Sequence, residues 1–190
     1  MNALKRCRFN EESGFSIIEL VIVLIIMLLI LGAITSMIRS GAESSSAVYN
    51  LKIIQEDGSE AITTMVRQIR LAAYLDPVST QNSIIFAGDF DGDGTEQTMG
   101  YDLQNGYLRK MDPDSGSMMD WIPETTQIVF KYWYWDSTNK QLMQSGNPVG
   151  SRNSEIIRID ISLSISRGAL NTTIDRTFNS TVNVRNELRL

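Results

Sequence analysis

Residues 14–38 read Gly-Phe-Ser-Ile-Ile-Glu-Leu-Val-Ile-Val-Leu-Ile-Ile-Met-Leu-Leu-Ile-Leu-Gly-Ala-Ile-Thr-Ser-Met-Ile, and Leu20 to Leu31 is an unbroken apolar run. As a helix at about 1.5 Å per residue, Phe15 to Ile38 spans about 36 Å, enough for a bilayer core of about 30 Å. Glu19 stands inside this Phe15–Ile38 span, directly ahead of the unbroken run. An unpaired carboxylate there costs about 2.5–3.5 kcal/mol or more, so an acid in a membrane span implies a function and a partner. The segment before it, MNALKRCRFNEESG, carries Lys5, Arg6 and Arg8 and ends in the small residue Gly14. A secretory signal places its small-residue cleavage site after the apolar region; here the small residue comes first. A cut after Gly14 would make Phe15 a free amine one helical turn from Glu19. Between chains staggered by one turn, the amine of one meets the carboxylate of the next, which makes the acid a registry device.

Gly14-Phe15-Ser16-Ile17-Ile18-Glu19-Leu20, with its basic leader and apolar helix, resembles the cleavage and methylation motif of type IV prepilins and type II secretion pseudopilins. The resemblance covers about the first forty residues. It implies that a prepilin peptidase cuts between Gly14 and Phe15 and methylates the Phe15 amine, and that Glu19 takes part in filament assembly. The basic residues ahead of the span keep the leader cytoplasmic and put the rest outside.

Removing residues 1–14 leaves 176 of 190 residues, and losing three basic and two acidic residues takes the net charge from −5 to −6. An acidic chain with no basic cluster beyond its leader does not favour nucleic acid. The chain has no His and its one Cys is Cys7, in the leader. The commonest general base and metal ligand are therefore missing, and no disulfide is available after the cut. No nucleophile or phosphate-loop motif is present either, so the expectation is that this is not an enzyme.

No Pro interrupts Ala42 to Leu75, and Val48, Leu51, Ile54, Ile62, Met65, Ile69 and Ala73 recur at helical spacing. This predicts one helix of about 60 residues, membrane-spanning over 15–38 and amphipathic over 39–76, with Gly32, Gly41 and Gly58 as weak points and Pro77 as a stop. Strands follow over 77–190. Ser83–Ala87 is short and apolar. Thr98–Leu103 and Gly106–Lys110 flank an Asn105-Gly106 hairpin signal. Met111–Met119 reads as a loop. Gln127–Trp135 is aromatic and β-branched, and Lys140–Gln144 pairs back on it. Glu155–Ser166 alternates, with Ile157, Ile159, Ile161, Leu163 and Ile165 on one face, and Thr173–Val184 alternates likewise. The predicted fold is α+β: a long N-terminal helix packed on an antiparallel β-sheet domain, which again resembles the pilin fold. Residues 84–110 and the closing TVNVRN are most similar to PilW-type minor pilins and to J-type minor pseudopilins.

One candidate metal site is legible. Asp89, Asp91 and Asp93 alternate before Gly94, as in the opening half of a calcium loop. The twelfth position from Asp89 is Gly100, where an EF-hand supplies a bidentate Glu, so this is no EF-hand. Ca2+ would need Glu96, the Thr95 carbonyl, or Asp112 and Asp114 as further ligands. The plain alternative is a solvated acidic turn. The run Tyr132-Trp133-Tyr134-Trp135 sends two rings to each strand face, one pair to a core and the other to packing or a partner subunit.

Three function classes follow. The first is an assembly subunit of the inner membrane, helping to initiate or cap a type IV pilus or sitting at the tip of a type II secretion pseudopilus. Its partners are other pilin or pseudopilin subunits, prepilin peptidase and the inner-membrane assembly platform. The second is a membrane-anchored, calcium-dependent binding module. The third, an anchored enzyme, has no constellation to support it.

Overall fold

The computed structural model describes residues 16–147, 149–169 and 172–184. Helix α1 (Ile17–Leu71) is helical through Gly32, Gly41 and Gly58. The chain divides into two compact units between Ser44 and Ser45.

In the first unit every described side chain from Ser16 to Ile38 is exposed, and the helix is long and apolar enough to cross a membrane. The Thr35 hydroxyl donates to the Leu31 carbonyl at 2.6 Å, which satisfies a polar group that hydrocarbon would not.

The second unit contains the amphipathic part of α1 and, among the described residues, nine strands in two antiparallel sheets. The first sheet is a meander of β1 (Tyr74–Leu75), β2 (Ser83–Gly88), β3 (Gln97–Gln104), β4 (Tyr107–Met111) and β5 (Met118–Ile122). The second contains β6 (Thr125–Asp136), β7 (Gln141–Gln144), β8 (Ile156–Ala169) and β9 (Thr172–Asn183), in the order β7-β6-β8-β9. A 3-10 turn at Gly150–Glu155 leads into β8. The α+β class is as the sequence predicts, but the strands divide between two sheets. Asn105-Gly106 makes the predicted two-residue turn, with φ of 53° and 77° and Gln104 paired to Tyr107, the left-handed pair that a tight hairpin needs.

Helix and sheets share one core. From α1 come Ile54, Ala61, Met65 and Ile69, from the first sheet Ile84, Phe86, Tyr101 and Leu108, and from the second Ile128, Phe130, Tyr132, Ile159, Ile161 and Leu163. A buried side chain of this size contributes about 1.5–3 kcal/mol by leaving water. The buried helix face is Ile54, Gly58, Ala61, Met65, Gln68 and Ile69. It departs from the predicted stripe: Val48 and Ala73 are exposed, while Gly58 and Gln68 are buried. Gly58 is a close-approach site, since a Cβ there would lie 2.1 Å from Cε2 of Phe178 on β9. Gln68 is held by the Tyr101 hydroxyl, and burial raises that phenol above its ordinary pKa. The helix closes at Leu71, and Ala73 N–H already donates to Ala87 O at 2.8 Å, so the chain becomes sheet before Pro77.

Two irregularities re-aim side chains. Trp133 pairs with Arg158 but Tyr134 pairs with Ile156, leaving Ile157 unopposed. Ile156 therefore takes the buried place predicted for Ile157, which is exposed. In β5, Leu108 pairs with Ile122 and Arg109 with Asp120, so Trp121 is the extra residue and its ring lies 5.8 Å from that of Tyr101. Arg167, near the end of β8, pairs with Asp57 on α1 at 3.6 Å and with Glu124 in the β5–β6 turn. Charge thus ties helix, turn and strand together.

Candidate functional site

Gly14 and Phe15, the predicted processing residues, lie outside the described residues. Glu19 lies within them, in the first turn of α1. Its Oε2 accepts the Ser16 N–H at 3.0 Å, and Ser16 Oγ accepts the Ile18 N–H at 3.4 Å. Ser16-Ile17-Ile18-Glu19 is thus a reciprocal capping arrangement. It gives partners to backbone donors that begin a helix without them. The partner expected for Glu19 lies in another chain; the structure gives it this local one, for which the Ser-x-x-Glu spacing is the sequence signal.

The acidic loop leaves β2 after Gly88 and enters β3 at Gln97. Asp89, Asp91 and Asp93 each place a carboxylate oxygen within 4.8 Å of the others, with Asp89 half-buried and the other two exposed. The loop is organised by those carboxylates. Asp89 accepts Gly92 N–H at 2.7 Å and Gly94 N–H at 3.0 Å. Asp91 accepts Asp93 N–H at 3.2 Å and the Gln97 side-chain amide at 2.7 Å, and Asp93 accepts Thr95 N–H at 2.7 Å. Gly92 and Gly94 have φ of 82° and 83°, which only glycine adopts freely. The N–H dipoles offset the repulsion of three like charges. The Asp93 N–H and the Gln97 amide hold the Asp91 carboxyl below its usual pKa.

Glu96 does not join the three aspartates, nor do Asp112 and Asp114. Asp112 is used within its own loop, accepting the Ser115 hydroxyl at 2.7 Å and Asp114 N–H at 3.2 Å. Each carboxylate oxygen has two acceptor directions, so the three aspartates retain capacity for a hard cation. Calcium takes six to eight oxygens, more than the three aspartate side chains supply by one oxygen each.

The aromatic run divides as the strand period requires. Tyr132 and Tyr134 are buried, and the Tyr132 hydroxyl bridges the sheets by donating toward Thr80 O at 2.8 Å and Ser83 O at 3.1 Å. Trp133 and Trp135 take the outer face. Trp133 Nε1 donates to Asp160 Oδ2 at 2.8 Å, under the Arg158 guanidinium 5.7 Å from its ring. Trp135 is 53% exposed, opposite Leu142 on β7. The chain matches no protein-family model, no curated protein and no solved structure.

Proposed function

We propose that this chain is a structural assembly subunit of the type IV pilin kind: a minor pilin, inserted in the bacterial inner membrane, that helps initiate or cap a filament. In this reading prepilin peptidase cuts between Gly14 and Phe15 and methylates the new amine. Helix α1 anchors the chain with its N-terminus cytoplasmic and the sheets periplasmic, and other pilin subunits and the assembly platform are its partners. One observation carries the reading: Gly14-Phe15-Ser16-Ile17-Ile18-Glu19-Leu20 runs into an apolar helix whose side chains from Ser16 to Ile38 stay exposed among the described residues. A second reading is a J-type minor pseudopilin of type II secretion, since the resemblance of residues 84–110 extends to PilW-type minor pilins and J-type minor pseudopilins alike. A strain lacking the gene decides between them. Lost surface pili with normal export of enzymes supports the minor pilin, lost export with normal pili supports the pseudopilin, and neither loss defeats both.

Calcium at Asp89, Asp91 and Asp93 belongs to the proposal as a stabiliser of the β2–β3 loop. Calorimetric titration of the full chain should show weak binding, with Kd of about 10⁻⁴–10⁻³ M, the range of extracellular modules. Asp91→Ala should abolish it. Absence of heat with the native sequence would leave the loop as an acidic turn.

A further inference from the structure

Strand β9 is an edge of the second sheet, paired on one side with β8 along its whole length. Its outward N–H and C=O groups have no backbone partner among the described residues. An edge this long is a template for another strand unless something covers it. Pro, the usual device that blocks an edge, is missing from Thr172–Asn183, and only Asp175 and Arg176 are charged. Beside this edge, on the core-facing side of the sheet, α1 overhangs a groove of about 360 Å³ lined by Ile62, Val66, Leu71, Arg67, Arg70 and Ser180 of β9. Ile62 and Val66 are partly buried against the core, and Leu71 is half exposed. Neither arginine forms an ion pair with a carboxylate among the described residues.

These features have one geometry in common. A strand added to β9 lies about 4.8 Å beyond it, and every second side chain turns toward the helix. Those side chains would meet the apolar floor of Ile62 and Val66 and then the two guanidiniums, which take carboxylates in fork geometry. We propose that the free edge of β9 and the groove under α1 accept an extended strand of a partner protein, with apolar residues at its helix-facing positions and acidic residues where it passes Arg67 and Arg70. Main-chain hydrogen bonds would supply affinity and the alternate side chains specificity. A second copy pairing edge to edge about Ser180 is disfavoured, because a two-fold contact brings both copies' Arg67 and Arg70 to one seam. The inference does not depend on the pilin reading, since it concerns the sheet unit alone and is tested without filaments.

The test uses the full chain in detergent micelles and a synthetic nine-residue peptide with threonine at outward positions and valine, valine, glutamate, glutamate at successive inward ones. Amide hydrogen exchange along β9 is the readout. Saturating peptide should slow the outward amides at least about tenfold. The same peptide N-methylated on its pairing edge should not, and Arg67→Glu/Arg70→Glu should weaken binding at least about fivefold with an unchanged melting temperature. Protection by the methylated peptide, or none by the parent, overturns strand addition. Full binding by the double variant overturns the acidic partner. Protection of these amides before peptide is added also overturns the proposal: if it grows with protein concentration the occupant is a second copy, and if it does not the chain's own residues 185–190 cover the edge.

Discussion

Asp160 is one carboxylate shared by three strands. It accepts from Arg158 on its own strand at 2.9 Å, from Trp133 on β6 at 2.8 Å and from Thr181 on β9 at 2.8 Å. Partial burial pushes its pKa up, but the hydrogen bonds from Arg158, Thr181 and Trp133 outweigh that and leave it below the ordinary value. A carboxyl with a lowered folded pKa adds stability that is fully present above the unfolded value of about 3.9 and disappears as pH falls through the folded one. Asp160→Asn should therefore cost about 1–2 kcal/mol at pH 7, the low end for charged hydrogen bonds because the site is partly solvated. Urea denaturation followed by tryptophan fluorescence should show the gap to wild type closing below about pH 4. A gap unchanged at pH 2.5 would mean that shape, and not charge, is what Asp160 contributes. The alternation of Glu155–Ser166 puts Asp160 on the outer face, but its partners come from strands 21 and 27 residues away, a distance over which side-chain pairing leaves no local pattern.

At the scale of elements, α1 and β9 meet where Gly58 admits the Phe178 ring. Apolar periodicity could not find this contact, because the residue that makes it has no side chain and reads as a helix weakness. The cost of glycine in a helix, about 1 kcal/mol against Ala, is offset by the ring it admits. Gly58→Leu should destabilise by about 2 kcal/mol through overpacking, and most of that penalty should vanish in a Phe178→Ala background. A double-mutant cycle with a coupling energy below about 0.5 kcal/mol would show that the ring is not seated there. Other elements hid for related reasons. The two residues of β1 are too few to carry a period. In β5, the extra residue Trp121 breaks the alternation of Met118–Ile122, so the segment merges with the loop before it. In β8, alternation assigns Ile157 inward, and only the pairing with β6 shows that Ile156 takes the place.

For the molecule as a whole, the order of patterns was enough for the α+β class: a period near 3.6 up to about residue 70, then a period of 2. The division into two sheets was not legible, because alternation shows which face of a strand is buried but not which strand is its neighbour. The helix start was half legible. The sequence marked Glu19 as an acid in need of a partner, and the chain supplies the Ser16 N–H. That bond satisfies one acceptor position of a carboxylate but leaves its charge, and in lipid the charge is the larger cost. Capping and charge pairing between subunits are therefore separable. Glutamine serves in a capping box as glutamate does but carries no charge, while valine does neither. If the charge is what assembly uses, Glu19→Gln and Glu19→Val should both insert in the membrane and both fail to co-purify with a filament. Glu19→Gln alone should keep slow exchange at the Ser16 amide. Glu19→Gln entering filaments at the wild-type level would assign Glu19 to the cap of its own helix and remove charge pairing from the assembly mechanism.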